Sequence, residues 1–218
     1  MFKKIEIIIE HFKTATSAIT GALIVYFFKK CLNATEEDSI LIALFSAIIA
    51  FFVLFIGKLV IDHFIENSYK LRKSIVKSHF IEGCWIQKVS DSSPNRQDNL
   101  VRLFVIFEKN ILKIHGSSYS LNGDLIGIFT AEYSVYSEFS LKYPFIHKSL
   151  VDTDKPFIYG QTELNFQWSG RNPAAYIGVV HSNRKDTGTV VLGRKLNNVD
   201  EFNFQNSTHV EFLFNSIK

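Results

Sequence analysis

Two kinds of hydrophobic pattern divide the chain. Residues 40–56, ILIALFSAIIAFFVLFI, run without a charge, and only Ser46 interrupts the apolar surface. At about 1.5 Å per residue that run spans roughly 25 Å, a little short of a hydrocarbon core of about 30 Å. Gly57, Leu59, Val60 and Ile61 extend it once Lys58 snorkels to the interface, which predicts a transmembrane helix over about 40–61. An earlier run, residues 14–28, is also uncharged, and with Lys29 and Lys30 snorkelling it predicts a first helix over about 14–32. A signal peptide is the alternative there. Glu6 and Glu10 sit in what would be its basic region, however, and no small-x-small cleavage site follows Phe28.

From Ile81 onward the pattern changes to short alternating runs, which predict strands at 84–89, 100–108, 111–119, 127–136, 138–147, 157–168, 174–182, 187–196 and 208–216. Turn residues separate them, among them Asn122-Gly123-Asp124 and Gly170-Arg171-Asn172-Pro173. One face of each run is apolar and the other wet. Phe129, Ala131, Tyr133, Val135, Phe139 and Leu141 share a face, as do Ile158, Leu164, Phe166 and Trp168. About eight such strands predict a closed antiparallel β-barrel, whose interior has room for side chains or one small ligand. The chain therefore reads as a membrane region over 1–79, comprising two helices and a connecting helix, and a β-barrel ligand-sensing domain over 80–218.

The 218 residues are 47% hydrophobic and 21% charged, with a net charge of +3, which argues against a disordered chain or a DNA- or RNA-binding one. The whole positive excess lies in residues 1–79; residues 80–218 carry fourteen basic and fourteen acidic side chains. The seven residues between the two predicted helices, with Glu36, Glu37 and Asp38 at their centre, force an antiparallel hairpin. Eight basic residues flank the hairpin outside and two, Lys29 and Lys30, lie toward the link. The positive-inside rule then puts both termini, and the barrel, in the cytoplasm. Ala18 and Ala22, and Ala43, Ala47 and Ala50, recur at helical spacing that suits close packing, within the hairpin or between copies.

Polar residues on apolar faces are the candidate chemistry, because a buried charge needs a partner or a ligand. Arg194 shares a face with Val190 and Leu192, His181 with Ile177 and Val179, and Arg102 with Leu100 and Phe104. Each has a structural alternative: a core histidine for His181 and the barrel's outer face for Arg102. For Arg194 it is a plug, since Gly83-Cys84-Trp85 resembles the Gly-x-Trp signature of lipocalin-like barrels, in which a late-strand arginine covers the tryptophan. Tyr133 and Trp168 offer stacking, and Trp168-Ser169-Gly170-Arg171 sets a ring, a glycine and a cation at one strand end, a candidate mouth or an ordinary turn. The sequence has no Cys-x-x-Cys or His-Glu-x-x-His metal site, P-loop or Gly-x-Ser-x-Gly elbow. The expectation is a binder with no metal and no catalytic residue.

The predicted spans at 14–32 and 40–61, a connecting helix, Gly83-Cys84-Trp85 opening the first strand and the strand series to Ser216 together resemble a bacterial family. It is the two-transmembrane, β-strand-rich effectors of cyclic-oligonucleotide-based anti-phage signalling (CBASS). The resemblance implies a multi-pass inner-membrane protein whose eight-stranded barrel binds a cyclic dinucleotide, its only small-molecule partner. Binding would drive homo-oligomerisation of the helices, membrane disruption and abortive infection. The candidate ligand contacts remain Arg102, Tyr133, Trp168, Arg171, His181 and Arg194. Two alternatives stand beside it: a membrane-anchored lipocalin-like carrier of an apolar ligand, and a barrel that serves as a protein-interaction scaffold.

Overall fold

The computed structural model describes residues 11, 14–15, 18–19, 21–23, 26, 39–90, 98–108, 111–154, 156–170, 172–183 and 188–217. The chain divides into two compact units, Met1–Val76 and Lys77–Lys218.

In the first unit, α1 (Ser39–Asn67) and α2 (Tyr69–Val76) follow one another around Ser68. A stretch of α1, Ala47–Asn67, is the one helix among the described residues long and apolar enough to cross a membrane. Phe45, Ile48, Phe51, Phe52, Phe55 and Ile56 around it are all exposed, which water disfavours and lipid does not. The helix runs past the predicted end at residue 61. Two of its final carbonyls are met by Arg72, whose guanidinium donates to Ile65 O at 2.9 Å and to Glu66 O. Most of the predicted first span and the acidic link lie outside the described residues; those described between Thr14 and Tyr26 are helical.

The second unit is a closed antiparallel barrel. Its strands are β1 (Gly83–Val89), β2 (Asn99–Glu108), β3 (Ile111–Ser120), β4 (Leu125–Ala131), β5 (Val135–Ser137), β6 (Ser140–Ser149), β7 (Phe157–Ser169), β8 (Asn172–Ser182) and β9 (Thr189–Leu196). They pair in the order β4-β3-β2-β1-β9-β8-β7-β6-β5, and a β4–β6 ladder closes the ring of eight, with the three-residue β5 outside it on β6. Alternation puts Trp85, Gln87 and Val89 inside, while Cys84 and Ile86 face outward onto a second layer.

That layer is formed by the C-terminal segment, where α3 (Ser207–Asn215) replaces the predicted strand at 208–216. Val210, Leu213, Phe214 and Ile217 follow a spacing of three, one and three, and all pack on the outer faces of Cys84, Ile86, Leu100 and Leu196. Asn206 caps the helix, its side chain accepting from Thr208 N at 2.9 Å and His209 N at 3.3 Å. Nine residues make too short a helix for its period to stand out from alternation.

The predicted run at 127–136 also divides. Beyond Ala131 the chain leaves the sheet for three residues, anchored where the Ser134 hydroxyl donates to Leu112 O. That interruption reverses the parity. Ser134 and Tyr136 become buried, and Tyr133 and Val135 turn outward, against the face predicted for them. A two-residue turn, Glu138-Phe139, with both φ values positive, then starts β6.

Candidate functional site: a polar cavity at one end of the barrel

The two ends of the barrel are built differently. Strands β1, β3, β6 and β8 finish at one end, at Val89, Ser120, Ser149 and Ser182, where β2, β4, β7 and β9 begin. The opposite end is filled by rings. Trp85 lies 5.1 Å from Phe166 and 5.6 Å from Tyr176 between centroids, and Phe166 meets Tyr136 at 6.0 Å. The indole N–H of Trp85 donates to Ile81 O at 2.8 Å, so the ring is both buried and satisfied. The cation over Trp85 is Lys195, with Nζ 5.4 Å from the ring, and the same ammonium lies 5.6 Å from Phe80. Lys195 is the direct pairing partner of Trp85. It occupies the place expected for Arg194.

Toward the other end the rings give way to a cavity of about 180 Å³. Its polar lining comes from Gln87, Asn99, Ser118, Tyr143, His147, Thr162, Ser182 and Thr189, and Phe129 and Phe145 supply flat apolar walls. No Lys, Arg, Asp or Glu is among the described lining residues. The Oδ1 of Asn99 is buried and has no hydrogen-bond partner among the described residues. Such a group costs free energy until a donor reaches it. Ser118 Oγ and His147 Nε2 are 3.5 Å apart, at the outer limit of a hydrogen bond. Burial pushes the Tyr143 phenol well up from its ordinary value, with a hydrogen bond from Thr162 opposing the shift, so it stays a neutral donor.

Glycines shape this interior. An ideal Cβ on Gly116 would lie 2.0 Å from the Phe129 ring, on Gly160 2.5 Å from Phe145, on Gly193 2.1 Å from Tyr176, and on Gly127 2.3 Å from His147. The first three are direct cross-strand pairs. Each ring therefore lies across its neighbour's backbone, in the space that a side chain there would take.

Of the candidate ligand contacts Arg102, Tyr133, Trp168, His181 and Arg194, none is in the described cavity lining. Arg102 and Arg194 flank Ile86 in the ladders β2–β1–β9 and share its outward face. Arg102 lies over Phe204 at 4.7 Å, Phe104 at 5.2 Å and Tyr119 at 5.8 Å, which places it under the C-terminal layer and agrees with the outer-face alternative. His181 is exposed, on the outer face with Ile177, because the inward positions of β8 are Tyr176, Gly178, Val180 and Ser182. Tyr133 is 59% exposed. Trp168 is half-buried beyond a bulge at Gln167/Trp168, edge-on to Phe139 at 4.5 Å. It sits at the ring-filled end, so the expected mouth at Trp168–Pro173 is opposite the cavity; Arg171 itself lies outside the described residues. The signal that could have found the cavity was neutral: Gln87 between Trp85 and Val89, Asn99 before Val101, and Thr162 before Leu164 sit on inward, apolar parity.

Among the described residues no three His, Cys, Asp or Glu side chains gather as a metal site. Comparison with family models, with curated proteins and with solved structures finds no match for the chain.

Proposed function

We propose that the chain is a membrane-anchored ligand sensor of the CBASS effector type, whose barrel takes a cyclic dinucleotide in its polar cavity. The observation that carries this reading is the buried, unpartnered Asn99 carbonyl oxygen in a cavity of hydroxyls, amides and flat rings. A hydrocarbon tail would leave the Asn99 oxygen desolvated and unmatched, which disfavours the apolar carrier. A nucleobase matches both sets: its faces stack on Phe129 and Phe145, and its edge supplies the N–H that Asn99 lacks. The cavity is smaller than the ~300–1,000 Å³ typical of pockets that enclose a whole drug-sized ligand. One base enters, and the phosphates stay at the mouth, which agrees with the absence of Lys and Arg among the described lining residues.

The membrane half of the proposal is a hairpin of helices at 14–32 and 40–61, in the inner membrane with both termini cytoplasmic. Ligand-bound barrels bring hairpins together, and their association breaches the bilayer and halts an infected cell. A ligand can favour that assembly only by binding it better than the lone protomer. The barrel binds its ligand without converting it.

The test is full-length protein in dye-loaded vesicles of anionic and zwitterionic phospholipid, challenged with cyclic di- and trinucleotides and with fatty acids. The expected result is dye release and a larger protein species with a cyclic dinucleotide, which is recovered intact. Release driven by fatty acids alone, or none with any cyclic dinucleotide, contradicts the proposal.

A further inference from the structure

The cavity floor and the segment that enters the barrel are joined by an unbroken set of contacts. Gln87 lines the cavity, and its Oε1 accepts from the Tyr176 hydroxyl at 3.0 Å. The Tyr176 ring meets Trp85 at 5.6 Å, and the Trp85 N–H donates to Ile81 O at 2.8 Å. Ile81 is fully buried and lies two residues beyond the 3₁₀ turn Lys77–His79, which precedes the first strand. His79 of that turn stacks on Phe139 at 5.0 Å.

From this geometry we propose that Gln87, Tyr176, Trp85 and Ile81 form a relay that reports cavity occupancy to residues 77–82; it rests on the reading of the cavity as a ligand site. The element with two states is Tyr176. With the cavity empty its hydroxyl is satisfied by Gln87. A ligand edge that claims the Gln87 amide releases that hydroxyl inside a dry interior, where it must move to find another partner. The ring cannot retreat toward β9, because it already lies on Gly193, where a Cβ would be 2.1 Å away. Its displacement therefore loads Trp85 and Phe166, and Trp85 holds the Ile81 carbonyl. Rigid aromatic packing transmits the shift because such an interior repacks between discrete arrangements rather than flexing.

Two arms test this on the full-length chain in detergent, read by amide hydrogen exchange over residues 77–82 and by tryptophan fluorescence in a Trp168→Phe background, where Trp85 is the sole indole. In the first arm, without ligand, Gln87→Leu removes the acceptor and should speed exchange at 77–82 by roughly fivefold or more, with the β4–β6 ladder unchanged. Unchanged exchange at 77–82 overturns the relay whatever the ligand is. In the second, 3′,3′-cyclic dinucleotides with A, G, U or C bases should shift Trp85 emission and 77–82 exchange. Tyr176→Phe should keep affinity within about threefold, since Tyr176 is not in the lining, and abolish both shifts. A bound nucleotide that moves residues 77–82 equally in Tyr176→Phe contradicts the relay. Failure of every nucleotide to bind contradicts the ligand reading alone, and the first arm still decides the relay.

Discussion

The two ends of one barrel use the same alternating strands for opposite purposes. At the end where the chain enters, inward positions carry Trp85, Tyr136, Phe166 and Tyr176, and their rings fill the section. At the other, the same strands carry Gln87, Asn99, Ser118 and Thr162, and glycines hold Phe129 and Phe145 flat against the wall. The first end fills its interior with rings, and the second lines a space with polar groups. On the proposed reading, stability is concentrated at one end and recognition at the other.

The sharpest way to break that contrast is to empty the packed end. Trp85→Ala should cost about 3–5 kcal/mol in urea unfolding, as large aromatic deletions in dry cores do, whereas Phe145→Ala, which already borders a void, should cost visibly less. Equal losses would mean that the ends do not differ. Gly160→Ala comes next. Its methyl group would meet the Phe145 ring at 2.5 Å and His181 O at 2.3 Å, so we expect about 1–3 kcal/mol of destabilisation. It should also weaken nucleotide binding, since the ring can yield only into the cavity. A variant that binds normally would show the glycine to be dispensable for the cavity.

Smaller effects follow from titration away from the cavity. Burial pushes the Cys84 thiol up to about 11, partly offset by the positive charge of Arg102, and burial pushes the Tyr136 phenol up to about 12. Both groups bind their protons more tightly folded than unfolded. Their stabilisation is thus complete below the unfolded values and lost as pH rises through the folded ones. Unfolding free energy should begin to fall near pH 9 and continue falling to pH 12, and Cys84→Ala should flatten the first part of that decline. The smallest expected change is at the C-terminal layer, where Asn206→Ala should cost about 1 kcal/mol through the lost cap. Loss of the whole helix signal would mean that the layer, not the barrel, limits folding.

How much of this could be read from sequence depended on what kind of signal each element leaves. The barrel was legible, because alternation survives in eight strands and turn residues punctuate them. The parity of Tyr133 was not, because three residues around Ser134 leave the ladder and no residue type announces an interruption of that length. The helix at Ser207–Asn215 was hidden by brevity. The cavity escaped for a chemical reason. A search for functional residues by charge finds Arg102 and Arg194, which share the outward face of Ile86, while the cavity lining is made of neutral side chains such as Asn, Gln, Ser and Thr. The glycines at 116, 160 and 193 were the overlooked pointers, each marking a strand position where a ring crosses the backbone.

The central claim is that the polar cavity, through Asn99, binds a cyclic dinucleotide. Calorimetric titration of the full-length protein, Asn99→Leu and Trp168→Ala with cyclic dinucleotides tests it most directly. The account predicts micromolar or tighter binding to the first, loss of at least about tenfold for Asn99→Leu with stability unchanged or slightly raised, and retained affinity for Trp168→Ala at the packed end. Binding that survives Asn99→Leu but disappears with Trp168→Ala would put the site at the wrong end of the barrel and contradict the account.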